Sequence, residues 1–169
     1  MPPFAIRRLG RADAEGFRIL RLEGLRAHPE AFGASWEEEK QRPAAWFADR
    51  LERSAVFGGL ANDGSLVGAA GLAVQGGLKE RHKGILWGMY VRPQARRTGL
   101  ADALVARVIE EARGAVEEVK LTVATSNEAA IRLYIRAGFV QYGMEKRALK
   151  VGAHYHDELL MALPLYAPA

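Results

Sequence analysis

The chain has 169 residues, 24 lysines and arginines against 20 aspartates and glutamates, a formal net charge of +4 and no cysteine. The absence of cysteine excludes a disulfide framework and thiolate chemistry. A chain of this length favours a single domain, residues 1–169, with one sizeable core. No apolar run is long enough to span a membrane, so we expect a cytoplasmic protein without a membrane partner.

The excess of basic residues raises the question of nucleic-acid binding. Basic residues are scattered and interleaved with acidic ones, as in the Glu-Glu-Glu-Lys run of residues 37–40. No patch combines basic and aromatic residues in the manner of single-strand binders. We therefore expect no nucleic-acid partner, and attribute the charge to solvated faces and a site for one anionic ligand.

The first half of the chain carries strand and helix patterns that end in a hairpin. The predicted elements are a strand over residues 4–9, a helix after Asp13, a helical region over residues 36–53 that is interrupted near Pro43, and strands over residues 55–61 and 66–75. Asp13 is placed to cap the first helix, and Pro29 ends it because the residue before proline avoids helical angles. Pro43 suits a helix start. The Asn-Asp-Gly sequence of residues 62–64 tolerates positive φ, as a hairpin turn requires.

The second half alternates strand and helix and closes with two strands. The predicted elements are a strand that begins at residue 84 and is closed by Pro93, a helix over residues 100–113, a strand over residues 119–123, a helix after Asn127, and strands over residues 140–151 and 155–163. Apolar residues of the helix over 100–113 recur at steps of three and four, as on the buried face of a helix. This order predicts an α/β (α+β) fold, with a mixed sheet and helices on both faces.

A short basic loop joins the strand that begins at residue 84 to the next helix. The first turn of a helix has unpaired N–H groups and a partial positive charge, and a pyrophosphate can bind there. Gly99 leaves room for a close approach of the backbone, and Ala101 is small. Arg96 and Arg97 can add charge-assisted hydrogen bonds. The Walker A and dinucleotide-binding glycine motifs are absent, so the loop predicts a different anion site or an ordinary solvated surface loop.

Two motifs resemble those of one enzyme family. Residues 96–101, Arg-Arg-Thr-Gly-Leu-Ala, resemble the Arg/Gln-x-x-Gly-x-Gly/Ala signature with which GNAT superfamily N-acetyltransferases hold the pyrophosphate of acetyl-coenzyme A. Asn127, Ala130, Tyr134 and the Gly-Phe pair of residues 138–139 are similar to that family's Asn-x-x-Ala-x-x-x-Tyr…Gly-Phe segment. Two motifs in the right order are more specific than either alone.

The resemblance implies a fold, a cosubstrate and a set of binding residues. We expect a GNAT-like sheet of about six to seven strands with a cleft between splayed fourth and fifth strands. Acetyl-coenzyme A (acetyl-CoA) is the implied cosubstrate, without a metal, and a primary amine attacks its thioester directly. The residues that the resemblance places at the cofactor are Met89, Tyr90, Val91, Arg96, Arg97, Thr98, Gly99, Leu100, Ala101 and Asn127. Asn127 serves equally well as a helix N-cap alone, and both roles stay open.

Tyr134 is the predicted catalytic residue. It matches the tyrosine that in many family members donates a proton or a hydrogen bond to the coenzyme A sulfur. A phenol stays protonated at neutral pH and can act as an acid, although a helix tyrosine can also simply pack its ring. For the developing oxyanion, the backbone N–H of Met89 or Tyr90 is the predicted donor.

The general base and the acceptor stay open. Some family members carry a glutamate early in the fourth strand, but residues 84–87 contain no carboxylate. The alternatives are bulk water and the side chains Glu23, His28, Glu80, His82, His154 and His156. Aromatic residues that could line an acceptor pocket are Phe32, Trp36, Trp87, Tyr142 and Tyr155. A small amine, an amino acid, an antibiotic and a protein amine all remain open as acceptors.

A second reading of the same motifs is a catalytically silent module that binds acyl-coenzyme A as a sensor or scaffold. The presence of Tyr134 argues mildly for an enzyme instead. A homodimer is compatible with the resemblance, but no sequence feature decides the oligomeric state.

Overall fold

A computed structural model describes residues 2–166 as seven strands and five helices. The strands are β1 (Phe4–Arg8), β2 (Ala55–Ala61), β3 (Leu66–Val74), β4 (Lys83–Val91), β5 (Glu118–Ala124), β6 (Val140–Val151) and β7 (His154–Pro164). The helices are α1 (Ala14–Ala27), α2 (Trp36–Glu39), α3 (Ala44–Arg53), α4 (Leu100–Arg113) and α5 (Glu128–Ala137). No helix in this described part is long and apolar enough to cross a membrane.

The strands form one mixed sheet in the order β1-β2-β3-β4-β5-β7-β6. The pair β4–β5 is parallel and the other neighbouring pairs are antiparallel. This confirms the predicted α/β (α+β) fold with a mixed sheet of six to seven strands.

Helices cover both faces of the sheet, as predicted. On one face, α1 and α3 bury Phe17, Leu20 and Phe47 against the sheet. On the other face, α4 and α5 bury apolar residues such as Leu104 and Leu133. Each set follows the three- and four-residue spacing of a helix face, so the amphipathic pattern of the sequence determines which side of each helix meets the sheet.

The helical region predicted over residues 36–53 is interrupted near Pro43, as expected, and forms two helices, α2 and α3. Ser35 caps α2, because its hydroxyl accepts a hydrogen bond from the Glu38 N–H at 3.2 Å. Pro43 takes the N-cap position of α3 with φ −72° and ψ 164°. Proline lacks an N–H and keeps the preceding residue out of helical angles, so one continuous helix could not pass through it.

Asp13 occupies the predicted N-cap position of α1, but its side chain does not cap that helix. Its carboxylate instead accepts the Gly10 N–H at 2.8 Å and the Arg7 guanidinium at 2.8 and 2.9 Å. The hydrogen bond from Arg7 lowers the pKa of Asp13. The carboxylate therefore ties the end of β1 to the start of α1, which is a different role from the predicted cap.

The fourth and fifth strands diverge soon after they meet. Their parallel pairing comprises Lys83–Glu118, Gly84–Val119 and Ile85–Lys120. Beyond these pairs, the two strands continue to Val91 and Ala124 without pairing to each other. The predicted cleft between splayed strands is thus confirmed.

A β-bulge in β4 lies at the edge of this cleft. Ala69 of β3 pairs with Tyr90, and Gly71 pairs with Trp87, so Gly88 and Met89 together face a single residue of β3. Gly88 has φ +68°, a left-handed conformation that favours glycine. A bulge of this kind leaves backbone groups outside the ladder, here where β4 borders the cleft.

Candidate functional site

A cavity of about 660 Å³ opens between the end of β4, the start of α4 and the start of α5. We call it the larger cavity. Nine of the ten residues predicted to bind the cofactor line it: Met89, Tyr90, Val91, Arg96, Arg97, Gly99, Leu100, Ala101 and Asn127. Thr98 lies outside the lining and donates its hydroxyl to the Ala95 carbonyl at 2.6 Å. The fold therefore brings together residues as far apart in the sequence as Met89 and Asn127. Their contact with a cofactor stays a prediction.

The loop before α4 takes a conformation that exposes backbone to this cavity. Arg97 and Gly99 have φ of +62° and +87°, both in the left-handed region. A Cβ placed on Gly99 would meet no atom within 4 Å, so glycine is required here by backbone angle and the space beside it is open. Gly99 is also the N-cap of α4 and offers no side-chain cap. The Leu100 N–H donates to Thr98 Oγ1 at 3.4 Å, and the N–H groups that follow it in the first turn of α4 are available to an anion.

The two arginines of the loop differ in their contacts. Arg96 donates Nε to the Val91 carbonyl at 3.2 Å, and its Nη2 lies 3.4 Å from His28 Nε2. Arg97 is exposed and makes no side-chain hydrogen bond or ion pair within residues 2–166. Arg97 therefore has its full set of donors available for a phosphate, whereas Arg96 also links the loop to β4 and to the end of α1.

Asn127 performs the structural role that the sequence left open. Its Oδ1 accepts the Ala130 N–H at 3.3 Å and so caps α5. The same residue lines the larger cavity. The cap is thus observed, while a direct contact of Asn127 with the cofactor stays a prediction.

Tyr134 lies on the buried face of α5 with 6% of its surface exposed. Its ring meets the ring of Phe139 edge-on, with centroids 5.8 Å apart, and neighbouring Leu133 rather than Tyr134 lines the larger cavity. The hydroxyl makes no hydrogen bond within residues 2–166, and burial raises the pKa of the phenol above its ordinary value. The side chain is a protonated donor without a partner, and its catalytic role stays a prediction.

Of the six candidate bases, His28 is the one that lines a cavity at the cleft among the described residues. Glu23 accepts Arg92 Nε at 2.9 Å. Glu80 contacts Lys83 at 3.5 Å near the start of β4, and His82 borders a separate cavity beside Arg113. His154 and His156 lie in β7. The structure therefore brings no carboxylate from this set into the cleft.

A second cavity of about 310 Å³ begins where β4 and β5 separate. We call it the smaller cavity; its polar and aromatic lining consists of Arg21, Arg50, Trp87, Lys120, Thr122, Phe32 and Tyr142. Ala31 and Phe32 line both cavities, so the two adjoin beside the β4 bulge.

The predicted acceptor aromatics divide into two groups. Phe32, Trp87 and Tyr142 line the smaller cavity. Trp36 and Tyr155 do not belong to its lining. Lys40 lies 4.2 Å from the Trp36 ring centroid and Arg147 lies 3.9 Å from that of Tyr155, as in surface cation–π contacts.

A buried ionic cluster beside the smaller cavity was not predicted from the sequence. Arg21 and Glu39 are 7% and 5% exposed, and their side chains form a bidentate pair at 2.6 and 2.9 Å. Arg50 Nη1 contacts the same carboxylate at 3.4 Å. A signal was available, because Arg21 lies four residues from both Phe17 and Leu25 and so falls on the buried face of α1.

Trp87 lies under both guanidinium groups of this cluster. Arg50 lies 4.1 Å and Arg21 lies 5.2 Å from its ring centroid. The pKa of Arg50 is lowered, chiefly by burial and then by the positive charge of Arg21. Trp87 Nε1 is the one fully buried side-chain polar atom without a partner in the described part of the chain.

Residues 22–139 match the family model described as acetyltransferase (GNAT) family. The chain belongs to the GNAT acetyltransferase family. Membership implies acyl transfer as the class of reaction. The match includes both cavities' β4 walls, the loop before α4 and Tyr134, and it ends at Phe139.

Solved structures confirm the GNAT fold. The acetyltransferase of the GNAT family from Streptococcus pneumoniae superposes with a TM-score of 0.82 at 21% identity, covering 95% of this chain and 99% of that chain. The structure of yncA from Salmonella typhimurium, solved with its cofactor acetyl-CoA, superposes with a TM-score of 0.81 at 22% identity, covering 98% of this chain and 96% of that chain. A GNAT superfamily phosphinothricin acetyltransferase from Sinorhizobium meliloti, solved in complex with acetyl-CoA, superposes with a TM-score of 0.82 at 18% identity, covering 96% of this chain and 88% of that chain.

Proposed function

We propose that this GNAT protein is an N-acetyltransferase that moves the acetyl group of acetyl-CoA to a primary amine. The observation that carries the proposal is the convergence of nine predicted cofactor residues on one cavity at the N-terminus of α4. Family membership supports acyl transfer, and two structural neighbours contain acetyl-CoA.

The pyrophosphate of the cosubstrate is assigned to the loop before α4. The first turn of α4 provides backbone donors beyond the Leu100 N–H, and Gly99 leaves open space beside them. Arg97 provides a side chain without another partner among the described residues. Charge-assisted hydrogen bonds of this type are short and about twice as strong as neutral ones.

The thioester is assigned to the β4 bulge, where the two cavities meet. Gly88 and Met89 face one residue of β3 and so leave the regular ladder. In this proposal the Met89 N–H stabilises the oxyanion that forms when the amine attacks the acetyl carbonyl. Tyr90 pairs with Ala69 within the ladder, which makes its N–H the weaker of the two predicted donors.

The reaction also requires that the attacking amine lose a proton. A lysine-like amine has a pKa of about 10.4, so its deprotonation at neutral pH costs roughly 4–5 kcal/mol. No carboxylate lines the smaller cavity among the described residues, so we assign the removal of this proton to water. Because burial raises the pKa of Tyr134, the phenol would serve the leaving sulfur as a hydrogen-bond donor rather than as a group that ionises.

The test is an acetyl-transfer assay with purified protein, acetyl-CoA and a panel of amines. Coenzyme A release is followed in time, and acetylated products are detected by mass spectrometry, with reactions lacking amine as the control for hydrolysis. An acetylated amine whose formation is abolished by Gly99→Trp supports the proposal. Binding of acetyl-CoA with no acetylated product from any amine would instead support the silent acyl-coenzyme A-binding module.

A further inference from the structure

The smaller cavity has a positively charged wall made by two helices. Arg21 comes from α1 and Arg50 from α3, and both lie beside Trp87 of β4. Lys120 of β5 lines the same cavity. Within residues 2–166 no carboxylate belongs to the lining, so the charge that faces the cavity is entirely positive.

The hydrogen bonds of the cluster leave donors for a ligand. Arg21 uses Nε and Nη2 on Glu39, and its Nη1 has no hydrogen-bond partner within the described residues. A Cβ on Gly88 would lie 3.5 Å from this Nη1, so the group sits beside the β4 bulge. Arg50 donates only Nη1 to Glu39, at 3.4 Å.

The charges of the cluster do not cancel. Two guanidinium groups share the single carboxylate of Glu39, which leaves one positive charge in excess. Lys120 has its own partner, Glu118, at 3.6 Å. An unpaired charge next to a buried ion pair is unfavourable unless a counter-charge binds there, so the cavity is suited to one anion.

We propose that the acceptor is a small amine that also carries a carboxylate, as an amino acid does, and that Arg21 and Arg50 bind this carboxylate. This inference rests on the proposed function. Arginine forks match the planar geometry of a carboxylate. The position of Arg21 beside Gly88 places the carboxylate next to the bulge, so the amine of the same small molecule can reach the thioester. A lysine-rich protein segment would meet three cations here and is disfavoured.

The volume of the smaller cavity agrees with this class of acceptor. At about 310 Å³ it lies at the lower end of the range for small-molecule sites. The ring of Trp87 and the side chains of Phe32 and Tyr142 provide an apolar surface for the rest of the molecule. The site therefore selects by charge at one end and by shape at the other.

The experiment measures kcat/KM for coenzyme A release from acetyl-CoA. It compares each common amino acid, as the acceptor, with the carboxamide of the same amino acid. The amide removes the carboxylate and makes the amine less basic, which by itself would favour the amide. We expect at least one amino acid to exceed its amide by about tenfold or more, the factor that corresponds to one charge-assisted interaction. The same amino acid should raise the unfolding temperature more than its amide does, with or without acetyl-CoA.

Arg50→Gln is the test variant, because Arg50 is half-buried and Glu39 keeps Arg21 as its partner. It should reduce the preference for acid over amide to about one, and it should leave the thermal shift caused by acetyl-CoA intact. Arg53→Gln makes the same change on α3 at an exposed position outside the lining, and it should keep the preference.

The outcomes separate this inference from the proposed function. The carboxylate site would be overturned if amides were acetylated as efficiently as the corresponding acids, or if Arg50→Gln and Arg53→Gln showed the same preference for acid over amide. Either result would leave N-acetylation in place. A thermal shift by amino acids without any shift by acetyl-CoA would support the carboxylate site and remove the proposed acetyl transfer. No shift with either kind of ligand and no turnover would contradict both.

Discussion

Ile85 of β4 and Lys120 of β5 are the last residues that pair between the two parallel strands, and both line the smaller cavity just beyond. Past this pair the sheet opens, and the β4 bulge at Gly88 lies on the edge of the opening. The larger and smaller cavities occupy the two ends of this opening. The site thus arises from where the strand pairing stops.

Gly99→Ala should reduce both stability and acetyl-CoA affinity. The φ of +87° makes a side chain cost about 1–2 kcal/mol of unfolding free energy, and the new methyl would occupy the space assigned to the pyrophosphate. Gly64 is a matched control, since it has φ +85° and equally open surroundings in the β2–β3 turn. Gly64→Ala should show the same loss of stability in denaturant titrations and no loss of affinity; equal affinity in both variants would refute the assignment of the loop.

Glu39→Gln should lower the unfolding free energy by about 3 kcal/mol or more, because it leaves buried Arg21 without its counter-charge. The side chains of the pair are 6% and 7% exposed. Glu37→Gln makes the same chemical change on an exposed residue of the same helix, and its effect should stay within about 0.5 kcal/mol. Equal chemical stability of the two variants would show that the ionic cluster is not needed by the fold.

Tyr134→Phe should lower turnover by about 100-fold if the phenol donates a hydrogen bond to the leaving sulfur. Its hydroxyl has no hydrogen-bond partner among the described residues, so stability should change by less than about 1 kcal/mol. Acetyl-CoA affinity should also stay close to that of the wild type. Tyr166→Phe, at an exposed residue, serves as the control, and a Tyr134→Phe enzyme with wild-type kcat would exclude the catalytic role.

The same tyrosine predicts a loss of stability at alkaline pH. Its folded-state pKa is raised by burial, so its contribution is complete below its unfolded pKa of about 10 and is lost as the pH rises towards the folded-state value. Above pH 10 the unfolding free energy should therefore fall by up to about 1.4 kcal/mol per pH unit from this group. Urea titrations of Tyr134→Phe should show a shallower decline than those of Tyr166→Phe, and parallel curves would contradict the burial of the phenol.

Much of the fold followed from local patterns in the sequence. The turn at residues 62–64 has the expected left-handed glycine, Gly64, at φ +85°. The helix after Gly99 and the strand Val140–Val151 lie where periodicity placed them. The interruption predicted near Pro43 is confirmed, because Pro43 takes the N-cap position of α3 and separates it from α2.

The candidate site was predictable only where it follows a contiguous motif. The loop before α4 and Asn127 could be found because their residues are close in sequence. The cluster of Arg21, Glu39 and Arg50 could not, since it depends on how α1, α2 and α3 pack over β4. The partial signal was a charged residue on the apolar face of α1, which identifies a buried arginine but neither its partner nor the cavity beside it.

Binding of acetyl-CoA at the start of α4 can be tested by thermal unfolding with and without acetyl-CoA, using the wild type, Gly99→Trp and Gly64→Trp. At about a hundred times its dissociation constant, the ligand should stabilise the wild type by ~2.7 kcal/mol, a shift of several degrees for a chain of this size. We expect Gly64→Trp to keep this shift and Gly99→Trp to lose it. No shift in the wild type, or an equal shift in both variants, would contradict the binding of acetyl-CoA at the start of α4.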